Sequence, residues 1–152
     1  MKNRREMLKQ SAVVASLLAS TGLFPQFAHA AFNKAAFDAK SIQDAVKAVA
    51  AGSLAESKDV TVIGPDIAEN GAVVPLGAST ALAGVKQLLI LVEKNPSVLV
   101  ASFNITEGID TNVATRAKMG QSSDVYAVAI MNDGRALYAK KEVKVTLGGC
   151  GG

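Results

Sequence analysis

The 152-residue chain predicts an all-β fold, an immunoglobulin-like antiparallel β-sandwich with an N-terminal helix and a flexible C-terminal Gly-Gly-Cys-Gly-Gly arm. Three observations carry that expectation. From Lys58 onward the apolar residues fall in short, β-branched runs separated by turn dipeptides, enough for seven or so strands. Ahead of those runs lies one segment with a helical stripe. Behind them the chain reads Gly148-Gly149-Cys150-Gly151-Gly152, which offers almost nothing for a core to hold.

The first 30 residues are set apart by composition. Lys2, Arg4, Arg5 and Lys9 stand against Glu6 alone, and residues 11–24 are apolar but diluted with Ser, Thr and Ala. Such a stretch is too short and too weakly hydrophobic to span a bilayer stably. Ala28-His29-Ala30 then supplies the small-x-small pattern of a signal-peptidase site, placing cleavage between Ala30 and Ala31. The paired arginines followed by Glu-Met-Leu-Lys resemble a twin-arginine signal, with Asn3 and Met7 departing from its commonest form. An ordinary Sec signal is the alternative. Either route predicts the oxidising periplasm and no stable membrane insertion once the signal is gone. The expected organisation is thus an export signal at 1–30, a helix-plus-sandwich domain at 31–147 and the arm at 148–152.

Removing the signal changes the electrostatics. Of 16 basic and 13 acidic residues, twelve of each remain, so the formal +3 of the whole chain becomes zero. The high sequence pI then gives no reason to expect nucleic acid as a partner. The only histidine, His29, goes with the signal. One cysteine without an imidazole makes a zinc or copper site of the usual kind untenable, and it excludes Cys–His and Ser–His pairs within the chain. No catalytic residue and no metal ligand is expected.

Residues 41–51 carry the helix, with Ile42, Ala45, Val46 and Val49 on one stripe. Ser41 can cap its start, Asp44 suits its positive end and Gly52 can close it. Residues 33–40 extend it backward, with Phe37 near the same face. The strand runs are 59–64, broken by Pro65; 85–93 and 97–103, separated by Lys94-Asn95-Pro96; 112–119, with the charges of an edge strand; and 125–131. Asn132-Asp133-Gly134 reads as a hairpin into 135–140, and 142–147 alternates with Val143, Val145 and Leu147 on one side. Asn70-Gly71 is a further turn, with Val73 and Val74 behind it.

Other features take plain readings. Gly64, Gly71, Gly77 and Gly84 read as turn residues, since no phosphate-loop spacing follows a strand. Asp66, Glu69, Glu107 and Asp110 lack calcium-loop spacing and read as solvated loop charge. The run 85–92 is too apolar for a one-sided strand; it is either a central strand or the cover of a partner interface.

The tail is where chemistry is expected. Cysteine is normally among the most buried residue types, yet the sole copy lies among glycines. Extended from Leu147, Cys150 reaches roughly 10 Å beyond the sheet. The thiolate is the reactive form, and nothing cationic in the tail favours it, so activation must come from another protein's active site. That asymmetry suits a carrier better than an enzyme.

The ending Val145-Thr-Leu-Gly-Gly-Cys-Gly-Gly152 resembles the SoxY family, sulfur-carrier subunits of the periplasmic Sox sulfur-oxidation system. The resemblance extends to the twin-arginine-like start, the helix ahead of the sheet and Pro65-Asp-Ile-Ala-Glu-Asn-Gly-Ala-Val-Val-Pro75. It implies an immunoglobulin-like sandwich with SoxZ as heterodimer partner and no cofactor beyond sulfur intermediates held covalently on Cys150. It also implies loading with thiosulfate by the haem enzyme SoxAX, release of sulfate by SoxB and, where present, oxidation of the remaining sulfur by SoxCD. Gly148, Gly149, Gly151 and Gly152 are assigned as the arm on physical grounds, because larger side chains would collide in a narrow channel. Two other readings stay open: a ubiquitin-like sulfur carrier using a terminal thiocarboxylate, and an exported interaction protein whose tail cysteine only forms a structural inter-chain disulfide.

Overall fold

The computed structural model describes residues 33–50 and 52–146. In chain order the elements are α1 (Lys34–Asp38), α2 (Ile42–Lys47), β1 (Leu54–Glu56), β2 (Val60–Ile63), β3 (Ile67–Ala68), β4 (Val74–Thr80), β5 (Val85–Val92), β6 (Leu99–Asn104), β7 (Asn112–Ala117), β8 (Ser123–Met131) and β9 (Ala136–Val145). One sheet runs β1-β9-β8-β5-β6, with β3 also on β9; the other runs β2-β4-β7. The expected sandwich is present, and β7 lies at a sheet edge as its charges predict.

The β5 run is apolar throughout because both of its faces are covered. Leu88, Ile90 and Val92 point into the core between the sheets, where they meet Val74, Leu76, Val125 and Val143. Leu89 and Leu91 point the other way, toward Ile42, Ala45 and Val46 of α2. All five β5 residues are fully buried, so the central-strand reading holds. Each such side chain contributes about 1.5–3 kcal/mol of burial. Strand β8 divides likewise, with Val125, Ala127 and Ala129 inward and Val128 and Ile130 under the helices.

The helical segment is shorter and more broken than its stripe suggests. Ser41 does cap α2, its Oγ accepting from Asp44 N at 3.1 Å, and Asn33 caps α1 in the same manner. Each cap starts its own short helix, because Ala39 is extended between them. Helix α2 stops at Lys47 rather than running through 51. Gly52 does not close it; a Cβ there would lie 2.3 Å from the Gly134 carbonyl oxygen, so the glycine serves a close backbone approach. Phe37 packs against the expected face.

Three further expectations change. Residues 135–140 and 142–147 are not two strands: β9 is continuous from Ala136 to Val145. The charged run Lys140-Lys141-Glu142 is tolerated because Lys140 pairs with Asp124 at 3.1 Å and Lys141 reaches Asp66 at 2.8 Å. Gly77 is not a turn residue but lies within β4, opposite Ile63 and Ala114. A Cβ there would meet the Val113 carbonyl oxygen at 2.7 Å. Finally, β1 and β3 pair parallel to β9, additions to the antiparallel plan that are only three and two residues long. The Asn132-Asp133-Gly134 hairpin is present, with Gly134 at φ +88° and Asp133 Oδ1 accepting from Arg135 N at 3.0 Å.

Candidate functional site: the end of the last strand

The last strand is held beyond the point where its ladder ends. The β8–β9 pairing stops at Ser123↔Val143. Val145 N–H, past that pair, donates to Ser122 Oγ at 2.9 Å. On the opposite edge Lys144 N–H donates to the Asp66 carbonyl at 3.0 Å and Thr146 N–H to the Ala68 carbonyl at 3.1 Å. Strand β3 thus extends the sheet for two residues where β8 no longer can.

A staple places β3 there. Pro65 interrupts the chain after β2, and the Lys141 ammonium bridges the break, donating to the Gly64 carbonyl at 2.7 Å and facing Asp66 Oδ1 at 2.8 Å. The bond and the charge of Lys141 hold the Asp66 carboxyl below its ordinary pKa. Beyond β3, Asn70 turns the chain through Oδ1, which accepts from Ala72 N at 2.9 Å. Gly71 then meets the loop before β8: its carbonyl accepts from Met119 N–H at 2.7 Å. A Cβ on Gly71 would stand 2.4 Å from the Met119 carbonyl oxygen and 2.7 Å from Val145 Cγ1. Only glycine lets the two loops close over Val145.

A third loop braces the second. Asn95 Nδ2 donates to the Lys118 carbonyl at 2.8 Å, and Lys94 N–H donates to Ser123 Oγ at 3.0 Å. The loops at 64–73, 93–97 and 118–123 therefore form a collar at the end of β9. Cys150 lies four residues beyond Thr146 in sequence, or about 13 Å of extended chain.

The residues expected from the sequence to carry the chemistry are not among those described. Cys150, Gly148, Gly149, Gly151 and Gly152 lie outside the described residues, as do Leu147, the 1–30 segment, His29 and the Ala30–Ala31 cleavage position. Among the described residues no group of three His, Cys, Asp or Glu side chains could hold a metal, and no helix is long and apolar enough to cross a membrane. Of the carboxylates read as solvated, Asp66 has a partner. Sequence reasoning found the Asn70-Gly71 turn but not its role in the collar, and it missed Ser122 and Lys141. A conformationally demanding turn beside the last strand was the available signal for Gly71; a lone serine or lysine gives none.

A search of curated proteins returns no match to this chain. The family described as Sulfur oxidation protein SoxY matches residues 46–150. Among solved structures, the sulfur carrier protein SoxY from Chlorobium limicola f thiosulfatophilum is similar at 33% identity, with a TM-score of 0.56 over 62% of this chain and 84% of that one. A variant of superoxide reductase (neelaredoxin) from Ignicoccus hospitalis is similar at 17% identity, with a TM-score of 0.51 over 57% of this chain and 79% of that one, a likeness of fold alone. With a matched span that runs from α2 to Cys150, the chain belongs to the SoxY family of sulfur oxidation proteins, and its part in that oxidation is a carrier's rather than an enzyme's.

Proposed function

We propose that Cys150 is the covalent attachment point for thiosulfate-derived sulfur, presented by its glycine-flanked arm to enzymes that act on it in turn. The observation that carries this reading is the family match extending to residue 150, so that the sole cysteine falls within it. The collar supports it from the other side: Lys144, Val145 and Thr146 are tied to Asp66, Ser122 and Ala68, and Cys150 follows four residues later. The chain supplies the tether and the sulfur nucleophile, and its partners supply the activation.

Loading joins the Cys150 sulfur to the outer sulfur of thiosulfate. The new S–S bond forms with loss of the thiol proton and two electrons, which a haem protein accepts. The product is a cysteine S-thiosulfonate. Water then attacks the sulfonate sulfur and its bond to the inner sulfur breaks, releasing sulfate and two protons and leaving a persulfide anion on Cys150. SoxAX and SoxB fill these roles, SoxCD removes further electrons from the persulfide sulfur where it is present, and SoxZ is the stable partner. The compartment is the periplasm, reached by the arginine-bearing signal at 1–30 and left uncrossed after cleavage at Ala30–Ala31. Larger residues at 149 or 151 would obstruct entry of the arm into a narrow channel.

The test is Cys150→Ser combined with mass spectrometry of the wild-type protein. Wild-type Cys150 gains thiosulfonate or sulfane sulfur during turnover, and the serine variant supports no thiosulfate-dependent respiration while its unfolding curve is unchanged. An inter-chain disulfide at Cys150 that persists through turnover, or normal respiration by the variant, would refute the carrier reading.

A further inference from the structure

The outer face of the β2-β4-β7 sheet carries few charged residues on its strands at the end nearer Thr146. Outward positions on β4 alternate with the buried Val74, Leu76 and Ala78, so Val73 and Pro75 face solvent, with Gly77 next in the row. Ile63 lies across from Gly77 on β2 and covers it, its Cβ 3.2 Å from where a glycine Cβ would be. Ala114 lies across from Gly77 on β7, and Arg116 across from Pro75. Ile63 is 42% exposed and Val73 53%, two of the four large hydrophobic side chains left open among the described residues. A third, Ile67 at 57%, is on the adjoining β3. A shallow depression of about 570 Å³ is lined by Pro75, Ala114, Thr115 and Arg116.

Charge is distributed unevenly along this face. At the arm end the ionisable groups of β7 and its exit are Arg116 and Lys118, both exposed. Asp59 and Asp110 lie at the opposite end, where Val60 pairs with Thr80 and Thr80 N–H donates to the Thr111 carbonyl. On the β3 side Asp66 faces Lys141 but stays exposed, as does Glu69, so the cationic rim is confined to the β7 side. An apolar patch with a cationic rim on one side fits a protein surface that is apolar at its centre and carries carboxylates at its edge.

Position decides which protein. Strand β4 begins at Val74, opposite Ala117, and the loop between Ala117 and β8 is the one that closes over Val145. Thr146 therefore ends beside this face. A tether of about 13 Å obliges any protein that takes Cys150 into a pocket to cover what surrounds the root. We infer that the arm end of the β2-β4-β7 face, centred on Ile63, Val73 and Pro75 and rimmed by Arg116 and Lys118, is the docking surface for the enzyme that loads Cys150. That enzyme presents an apolar patch bordered by carboxylates. The inference rests on the proposed role of Cys150 and adds where recognition occurs.

The experiment uses the full-length protein, thiosulfate, oxidised cytochrome c as electron acceptor and an extract of thiosulfate-grown cells, with loading followed by mass on Cys150. Arg116→Glu with Lys118→Glu raises the KM for the carrier at least tenfold with kcat little changed. It also reverses the dependence on ionic strength, since attraction becomes repulsion. Ile63→Ser, which adds no charge, raises KM without that salt signature. Alkylation of Cys150 by iodoacetamide proceeds at the wild-type rate in all three proteins, which excludes a change in the thiol itself. Lys47→Glu with Lys86→Glu makes the same change in net charge elsewhere and leaves KM unaltered. Equal effects from the two charge pairs, or no effect from either, would overturn the inference. So would loss of a stoichiometric, stably bound partner from the Arg116/Lys118 variant, which would give the face to that partner instead. A wild-type protein that is never loaded would refute the carrier role itself, an outcome distinct from wild-type loading with unaffected variants.

Discussion

Gly71→Ala tests whether the collar is a fitted closure. The added methyl would stand 2.4 Å from the Met119 carbonyl oxygen, which is backbone, and 2.7 Å from Val145 Cγ1. Neither can rotate away cheaply, so the loops must part. Overpacking of this kind costs about 1–3 kcal/mol. Parting also strains the Met119 N–H to Gly71 carbonyl bond of 2.7 Å, worth about 0.5–1.5 kcal/mol net. The expected destabilisation is thus about 1.5–4.5 kcal/mol, and at about 4 °C per kcal/mol for a domain of this size Tm falls by roughly 6–18 °C. The control is Gly120→Ala in the neighbouring loop. A Cβ there meets nothing within 4 Å and its φ is not positive, so stability should change by less than about 0.5 kcal/mol. Urea unfolding of the two variants against wild type measures the difference. If Gly71→Ala were as mild as Gly120→Ala, the loops would not be closed on one another and the tight root would be an illusion of the geometry.

Two further outcomes concern stability. Leu89→Ala empties a fully buried site between β5 and the helices and should cost about 2–5 kcal/mol in urea unfolding, while the folded fraction keeps its loading KM because the sandwich face is untouched. The Asp66 carboxyl is lowered in the folded protein, first by its bond to Lys141 and then by that charge. A lowered carboxyl stabilises above its unfolded pKa of about 3.9 and loses that contribution as pH falls through the folded value. Wild type should therefore lose part of its margin over Asp66→Asn below about pH 4. Parallel melting curves from pH 3 to 6 for the two proteins would contradict the staple.

Most of the sandwich was legible because its strands obey local rules. Alternation, the Asn132-Asp133-Gly134 hairpin and the Ser41 cap are decided by residues within a few positions of each other, and the structure keeps them. What escaped depends on residues far apart in sequence. The charges at 140–142 look like a strand boundary until Asp124 and Asp66 are brought alongside to neutralise two of them. Gly77 looks like a turn until Ile63 is laid across it. Strands β1 and β3 carry too few residues to show a period, and they form because β9 has an open edge. Cys150, the proposed attachment point, stands out in the sequence for the opposite reason. Its anomaly is compositional, a sole thiol among glycines, and needs no tertiary contact to be noticed.

The collar and the basic-rimmed face make separable demands on a carrier. A tethered thiol gains effective concentration at a partner's active site only while the tether begins at a fixed point, and each residue released from the root dilutes it. Freeing Val145 and Thr146 lengthens the tether to Cys150 from four residues to six, a loss of only about 1.8-fold by the three-halves power of length. Tether length alone is therefore a weak lever. The stronger one is encounter, where two exposed cations beside an apolar patch act on association, a term that salt screens within about 10 Å at 0.1 M. A chain with equal numbers of acids and bases after residue 30 has no net charge with which to steer, so the placement of Arg116 and Lys118 must do it. Collar variants that stay folded should consequently lose little loading at saturating enzyme, whereas rim variants lose most of theirs at low carrier concentration. The reverse pattern would mean that the arm's origin, not its surroundings, governs recognition.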